Sequence, residues 1–272
     1  MAPEQIMNTI SIERQFERMG ARAKVHTNLR RNVLTGVSID IGHDDGGEFF
    51  DIAVSPNEPG ELTVLNAQPR LRHLLLMSRQ DDGKHKFLCG HDERHWFVAA
   101  VPERSGASTV SQAFEALRPS AVRAELSRKH VRVKNRNRRR NEAFLRQGEW
   151  FFVPVSRPVS FSPLIILKDE PLRRGGGKPH LCEELVRVGG ELVYVCNQYP
   201  NGVTEGQYRR LIGQKPELRH LHWITQRRNP GVFVRGRVRH SDHKTIFLDG
   251  WHEVLMNTET QAAAMRHVAF ID

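Results

Sequence analysis

Short apolar runs, each cut off by glycine, proline, asparagine or aspartate, set the tightest limit on what this chain can fold into. Four follow one another between residues 36 and 79: GVSIDIG, EFFDIAV, ELTVLNA and RHLLLMSR. Runs of this length, rich in Val, Ile, Leu and Phe and bounded by turn residues, predict strands; a helix needs a longer apolar stripe at 3.6-residue spacing. KHKFLCGHDERHWFVAAV, residues 84–101, predicts a hairpin with its polar turn at 91–94. The pattern returns after residue 148 in EWFFVPVS, PLIILKD, ELVYVCN, LHWITQ, GVFVRGRVRH and TIFLDGWHEVLM.

Helical signals are fewer. Ile12, Phe16, Met19 and Ala23 predict an amphipathic helix over residues 11–24. Thr109 with Gln112 forms a capping box, in which Thr caps a backbone N–H and Gln reaches back. That helix should stop near Arg118, before Pro119 opens another through SAVRAELSRKH. RRNEAFLRQ reads as a further short helix stopped by Gly148. Thr204 with Gln207, and Thr258 with Gln261, repeat the capping box. Strands, then helices, then strands predict an α+β chain, β-rich and mostly antiparallel, with a central helical basic insert. The expected parts are 1–107, 108–148 and 149–272, the first and last sharing one core as the alternative.

Charge sharpens the picture. Lysine and arginine number 41 against 31 acidic residues, a net charge of +10. Nine of those cations lie between residues 128 and 146, with Glu142 as the only acid there. Arg128, Arg132, Arg136 and Arg140 are four apart and would form one stripe on a continuous helix, with Lys134 and Arg138 as a second row. Such a row repels itself unless an anion binds it, and a phosphate backbone is that anion. Arginine suits phosphate because its fork donates to two oxygens at once. The plainer reading is a solvated face, or one neutralised by acids such as Glu115 or Glu125. Membrane insertion does not fit, because the segment has no Trp/Phe/Leu face. Trp150, Phe151 and Phe152 follow directly; exposed, they would stack on bases, and in a strand they would fill a core.

Arg173, Arg174 and Lys178 sit in RRGGGKPH, a glycine-rich basic loop of the kind whose backbone N–H groups cradle phosphate; the plainer reading is a flexible connection. It is not a P-loop, since no Ser or Thr follows the lysine. No apolar run is long enough to cross a bilayer. The opening residues lack the basic and apolar regions of a secretory leader, and Cys89, Cys182 and Cys196 are too few and too scattered for a disulfide framework. A reducing cytoplasm is the expected home.

Fourteen histidines are many. His91 with His95, His240 with His243, and His252 with His267 are close in sequence, and His180, Cys182 and Cys196 would supply three metal ligands if the fold gathered them. No zinc-finger spacing is present. In RHSDHKTIFLDGWHEVLMNTETQAAAMRHVAFID, residues 239–272, Asp242 and His243 end one strand and Asn257 follows the next. His267 lies near the end of the capped helix expected after that. This order resembles the HNH, or ββα-metal, nuclease motif. The resemblance implies His243 as the general base that activates water, oriented by Asn257, with Asp242 and His267 holding a divalent metal against the scissile phosphate. Read plainly, the same residues give a hairpin and a C-terminal helix.

The expected function is therefore binding of nucleic acid, RNA or DNA, through its phosphate backbone. Arg128, Arg132, Lys134, Arg136, Arg138, Arg139, Arg140, Arg173, Arg174 and Lys178 would carry it. The alternatives are a metal-dependent nuclease centred on His243, and an adaptor holding an acidic protein.

Overall fold

A computed structural model describes residues 3–27, 37–54, 61–80, 83–157, 159–174 and 177–262. The backbone divides into two compact units: one runs to Ala143 and resumes at Met256, the other takes Phe144–Leu255. Sixteen strands against four α-helices make the described residues β-rich, and most strand pairs are antiparallel.

The first unit opens with α1 (Pro3–Arg18), whose Ile12 and Phe16, with Met19 just beyond it, are buried against Phe50, Ile52, Leu74 and Trp96. Phe50 is the hinge of this packing, with ring centroids 4.8 Å from Phe16 and 5.5 Å from Trp96. The helix stops earlier than its apolar spacing suggests. Gly20 takes φ +79° and donates to Glu17 O, while Ala21 donates to Phe16 O. These two bonds satisfy the last carbonyls, and glycine adopts the left-handed conformation without a Cβ penalty. Ala23, expected on the helix, instead opens β1 (Ala23–Thr27).

β1 lies parallel to β3 (Gly47–Val54), which pairs antiparallel with β2 (Val37–Asp44). A four-stranded meander follows: β4 (Glu61–Gln68), β5 (His73–Gln80), β6 (Gly83–Asp92) and β7 (His95–Val101). The β6–β7 turn falls where the polar residues predict it. α2 (Val110–Ala116) has the Thr109–Gln112 capping box and buries Val110 and Ala113 against Leu75 and Leu88.

The central segment differs from expectation. α3 (Ser120–Arg128) does not continue into the basic residues. His130, at φ +50°, donates to Ser127 O, and Val131 donates to Leu126 O, the same terminating pattern as in α1. Val131 is buried, and the chain turns into a three-residue 3-10 turn, Val133–Asn135. Six cations between 132 and 140 with no acid among them oppose alignment on one helical face. RRNEAFLRQ is not helical either. Ala143 and Phe144 are buried, and Leu145–Gln147 forms β8, turned by Gly148 at φ +59° onto β9 (Trp150–Pro154). Trp150, Phe151 and Phe152 are all core residues and present no stacking surface.

The second unit is built on a six-stranded sheet. After β10 (Leu167–Leu172) comes β11 (His180–Val188). The chain then leaves to make a smaller sheet, β12 (Glu191–Cys196), β13 (Tyr199–Thr204) and β14 (Ile224–Arg228), with α4 (Glu205–Gln214) packed on β12 and β13. Tyr194 and Tyr208 stack at 4.4 Å between that sheet and α4. The chain returns as β15 (Gly231–Arg239) and β16 (Ile246–Met256), giving the order β10-β11-β15-β16-β9-β8. The third expected capping box does not form: Asn257, not Thr258, caps a 3-10 turn over Thr258–Gln261. Among the described residues no helix is long and apolar enough to cross a membrane.

A Cβ at Gly20 would meet nothing closer than Arg72 Nε at 4.0 Å, so only backbone strain opposes a side chain there. Gly20→Ala is therefore expected to cost about 1 kcal/mol in urea denaturation, and Gly20→Asn less.

Candidate metal centre and cationic segment

Strand register assembles the main cluster. Leu181 pairs with Arg239, so the first residue of β11, His180, lies across from His240, the first residue after β15. The short β15–β16 loop then brings back His243. One nitrogen from each of His180, His240 and His243 lies within 4.8 Å of the others, and this is the one such group of metal-binding side chains among the described residues. The rings are nearly parallel, with centroids 4.2 Å apart for His180–His240 and 4.6 Å for His240–His243. His180 is buried, whereas the other two are half-buried.

The β8–β9 hairpin completes the setting. Gln147 is buried and its amide donates to Lys244 O at 2.8 Å and Val238 O at 3.4 Å. Both N–H groups being spent, its Oε1 accepts from His180 Nδ1 at 2.9 Å. His180 thus carries its proton on Nδ1 and a lone pair on Nε2. That Nε2 faces the Glu149 carboxylate at 3.9 Å. Between these residues is Gly148, where a Cβ would stand 3.0 Å from His243 Nε2 and 3.5 Å from His180 Nε2. His240 accepts from Asp242 N–H at Nδ1 (3.1 Å) and donates from Nε2 to Lys178 O (3.3 Å). Burial, then the neighbouring His240 and His243, push the His180 imidazole down to about 3, while Asp242 pulls the other way. His180 is therefore neutral, as a nitrogen ligand must be.

Only part of this set was foreseen. His243 is in the cluster, but Asp242 beside it is held by Lys178 Nζ at 2.9 Å on both oxygens and by Ser241. Asn257 falls in the other unit, where its side chain caps the 3-10 turn and donates to Glu259. His267 lies outside the described residues. Cys182 and Cys196 do not join His180: Cys182 contacts the His180 carbonyl, and burial pushes its thiol up to about 12. His95 is bound to Glu48, His91 packs against Trp96, and His252 contacts Gly250 O. Only the His240–His243 spacing signalled the cluster; nothing local links His180 to it.

The basic segment sorts into two groups. Arg128 makes a forked pair with Glu125, and Arg139 pairs with Asp92 and Glu93. Arg136 donates to Val131 O. Arg132, Lys134, Arg138 and Arg140 are exposed, and no ion pair engages them among the described residues. The segment is nevertheless anchored. Buried Arg118, paired with Glu115, donates to Arg136 O at 3.0 Å and to Asn137 Oδ1. In the second unit Arg173 is exposed, Arg174 is half-buried, and Lys178 is spent on Asp242. Comparison with family models, curated proteins and solved structures finds no match to this chain.

An unfolded histidine takes up a proton near pH 6.5, whereas folded His180 stays neutral until about 3. Protons therefore favour the unfolded chain below pH 6.5. The second unit is expected to lose up to about 1.4 kcal/mol per pH unit between pH 6.5 and 5, above the range where carboxylates titrate. Urea denaturation across that window should show the slope, and His180→Gln should flatten it.

Proposed function

We propose that this chain binds nucleic acid, RNA or DNA, by holding phosphates with Arg132, Lys134, Arg138 and Arg140. The observation that carries this is their display. Four exposed cations stand on a segment locked in place by buried Arg118, while most neighbouring arginines are matched to carboxylates or carbonyls. A preformed cationic loop loses little freedom on binding, and the counterions it releases supply the driving force. Contacts of this kind bind backbone without reading sequence. Arg128, Arg136 and Arg139 drop out of the expected set because their guanidinium groups are already engaged. Arg173 remains as a separate exposed cation on the second unit.

A second reading, a metal-dependent phosphodiesterase centred on His243, is favoured by one observation: His243 shares its place with two other imidazoles. In that reading His243 works beside His180 and His240 rather than with Asn257. Metal-dependent cleavage of an oligonucleotide that His243→Gln leaves untouched removes it.

Four phosphate contacts give a slope of about −3.6 in log affinity against log salt for a duplex, or roughly a hundred-fold weakening from 50 to 200 mM. Fluorescence anisotropy with a labelled oligonucleotide should show this. Replacing all four cations by glutamine should abolish most of the binding and of the slope. A flat salt response, or a partner in pull-downs that survives nuclease treatment, would instead point to an acidic protein held by the same loop.

A further inference from the structure

We infer that His180, His240 and His243 form a binding site for one divalent transition metal of the zinc class, with a fourth position left to water. This does not depend on nucleic-acid binding; it rests on the second unit alone.

Donor chemistry comes first. Three neutral imidazoles suit zinc, copper and nickel, and do not suit magnesium or calcium, which prefer oxygen. Three protein ligands with an open fourth position are the pattern of catalytic zinc sites.

Orientation supports the same conclusion. A metal-bound histidine usually donates its other N–H to an oxygen, which fixes the tautomer and aims the lone pair. Gln147 does this for His180, and two backbone carbonyls hold Gln147 in turn. The lone pair so aimed faces the Glu149 side chain. A cation beside His180 Nε2 would take that lone pair, with the Glu149 carboxyl group 3.9 Å away. Glycine at 148 keeps that space open on the side of both His180 Nε2 and His243 Nε2.

The geometry needs only a small closure. Zinc–nitrogen bonds of about 2.0–2.1 Å at tetrahedral angles place ligand nitrogens roughly 3.4 Å apart. The three nitrogens lie within 4.8 Å, so the half-buried His240 and His243 must move by about an ångström and rotate out of their stack, since an imidazole lone pair lies in the ring plane. His240 gives up one of its two long hydrogen bonds to do so. Asp242 is already paired with Lys178, which leaves Glu149 as the nearest carboxyl group to the incoming dication outside that pair.

The test uses the whole chain, stripped with a chelator and titrated with zinc or cobalt ions by calorimetry and visible absorption. Expected is one metal per chain, with the visible bands of four-coordinate cobalt. His240→Gln and His243→Gln, both at half-buried positions, should each weaken binding by more than the roughly ten- to hundred-fold typical of lost outer partners. His222→Gln, at an exposed histidine of the same unit, should not change it. X-ray absorption of the zinc-loaded, unaltered chain should report three imidazoles and one oxygen, and needs no variant to fold. Substoichiometric binding, equal loss in the His222 variant, or fewer than three imidazoles around zinc would overturn the inference.

Discussion

Antiparallel pairing of β11 with β15, in the register that sets Leu181 beside Arg239, is the contact on which the histidine cluster depends. A one-residue slip would turn every side chain of a strand to the other face and part His180 from His240. The register is fixed from both sides. Cys182, Leu185 and Val186 of β11 and Val232, Val234 and Val238 of β15 are buried, so a slip would expose core. The β8–β9 hairpin then ties the arrangement off through the Gln147 amide, which joins β15, the β15–β16 loop and His180.

Charge is distributed by the same economy of partners. Across the second unit, Lys168, Arg235 and Arg237 face Glu184 or Glu183, and Arg239 faces Asp169. Exposed pairs of this kind add little stability. Their consequence is that these side chains are occupied. The four cations of the central loop stand out because they lie within nine residues on one anchored segment where no described carboxylate engages them, not because the protein as a whole is basic.

Much of the fold was legible in the sequence, and the gaps have physical causes. Runs such as EFFDIAV and RHLLLMSR became strands because a short apolar run bounded by turn residues is a local signal, and Thr109 and Thr204 capped helices because their boxes are local too. β11 was missed: its sequence, HLCEELVRV, is broken by a bulge between Cys182 and Glu184 that interrupts the two-residue period. β13, YPNGVT, carries Pro, Asn and Gly and looks like a turn. β8 is three residues of good helix formers, made a strand by its partner β9. Missing β11 also hid the site, because His180 meets His240 only through a pairing that spans an entire inserted sheet. The basic segment was visible as charge, but sorting it into engaged and exposed cations required knowing where Glu125, Asp92 and Glu93 lie.

The most direct test of this account is the ionisation and tautomer of one ring. Long-range proton–nitrogen spectra of the metal-free chain report both for each imidazole. The account predicts that His180 is protonated on Nδ1, bears its lone pair on Nε2, and does not titrate between pH 5 and 8. A His180 ring that titrates near pH 6.5, or that carries its proton on Nε2, would contradict it.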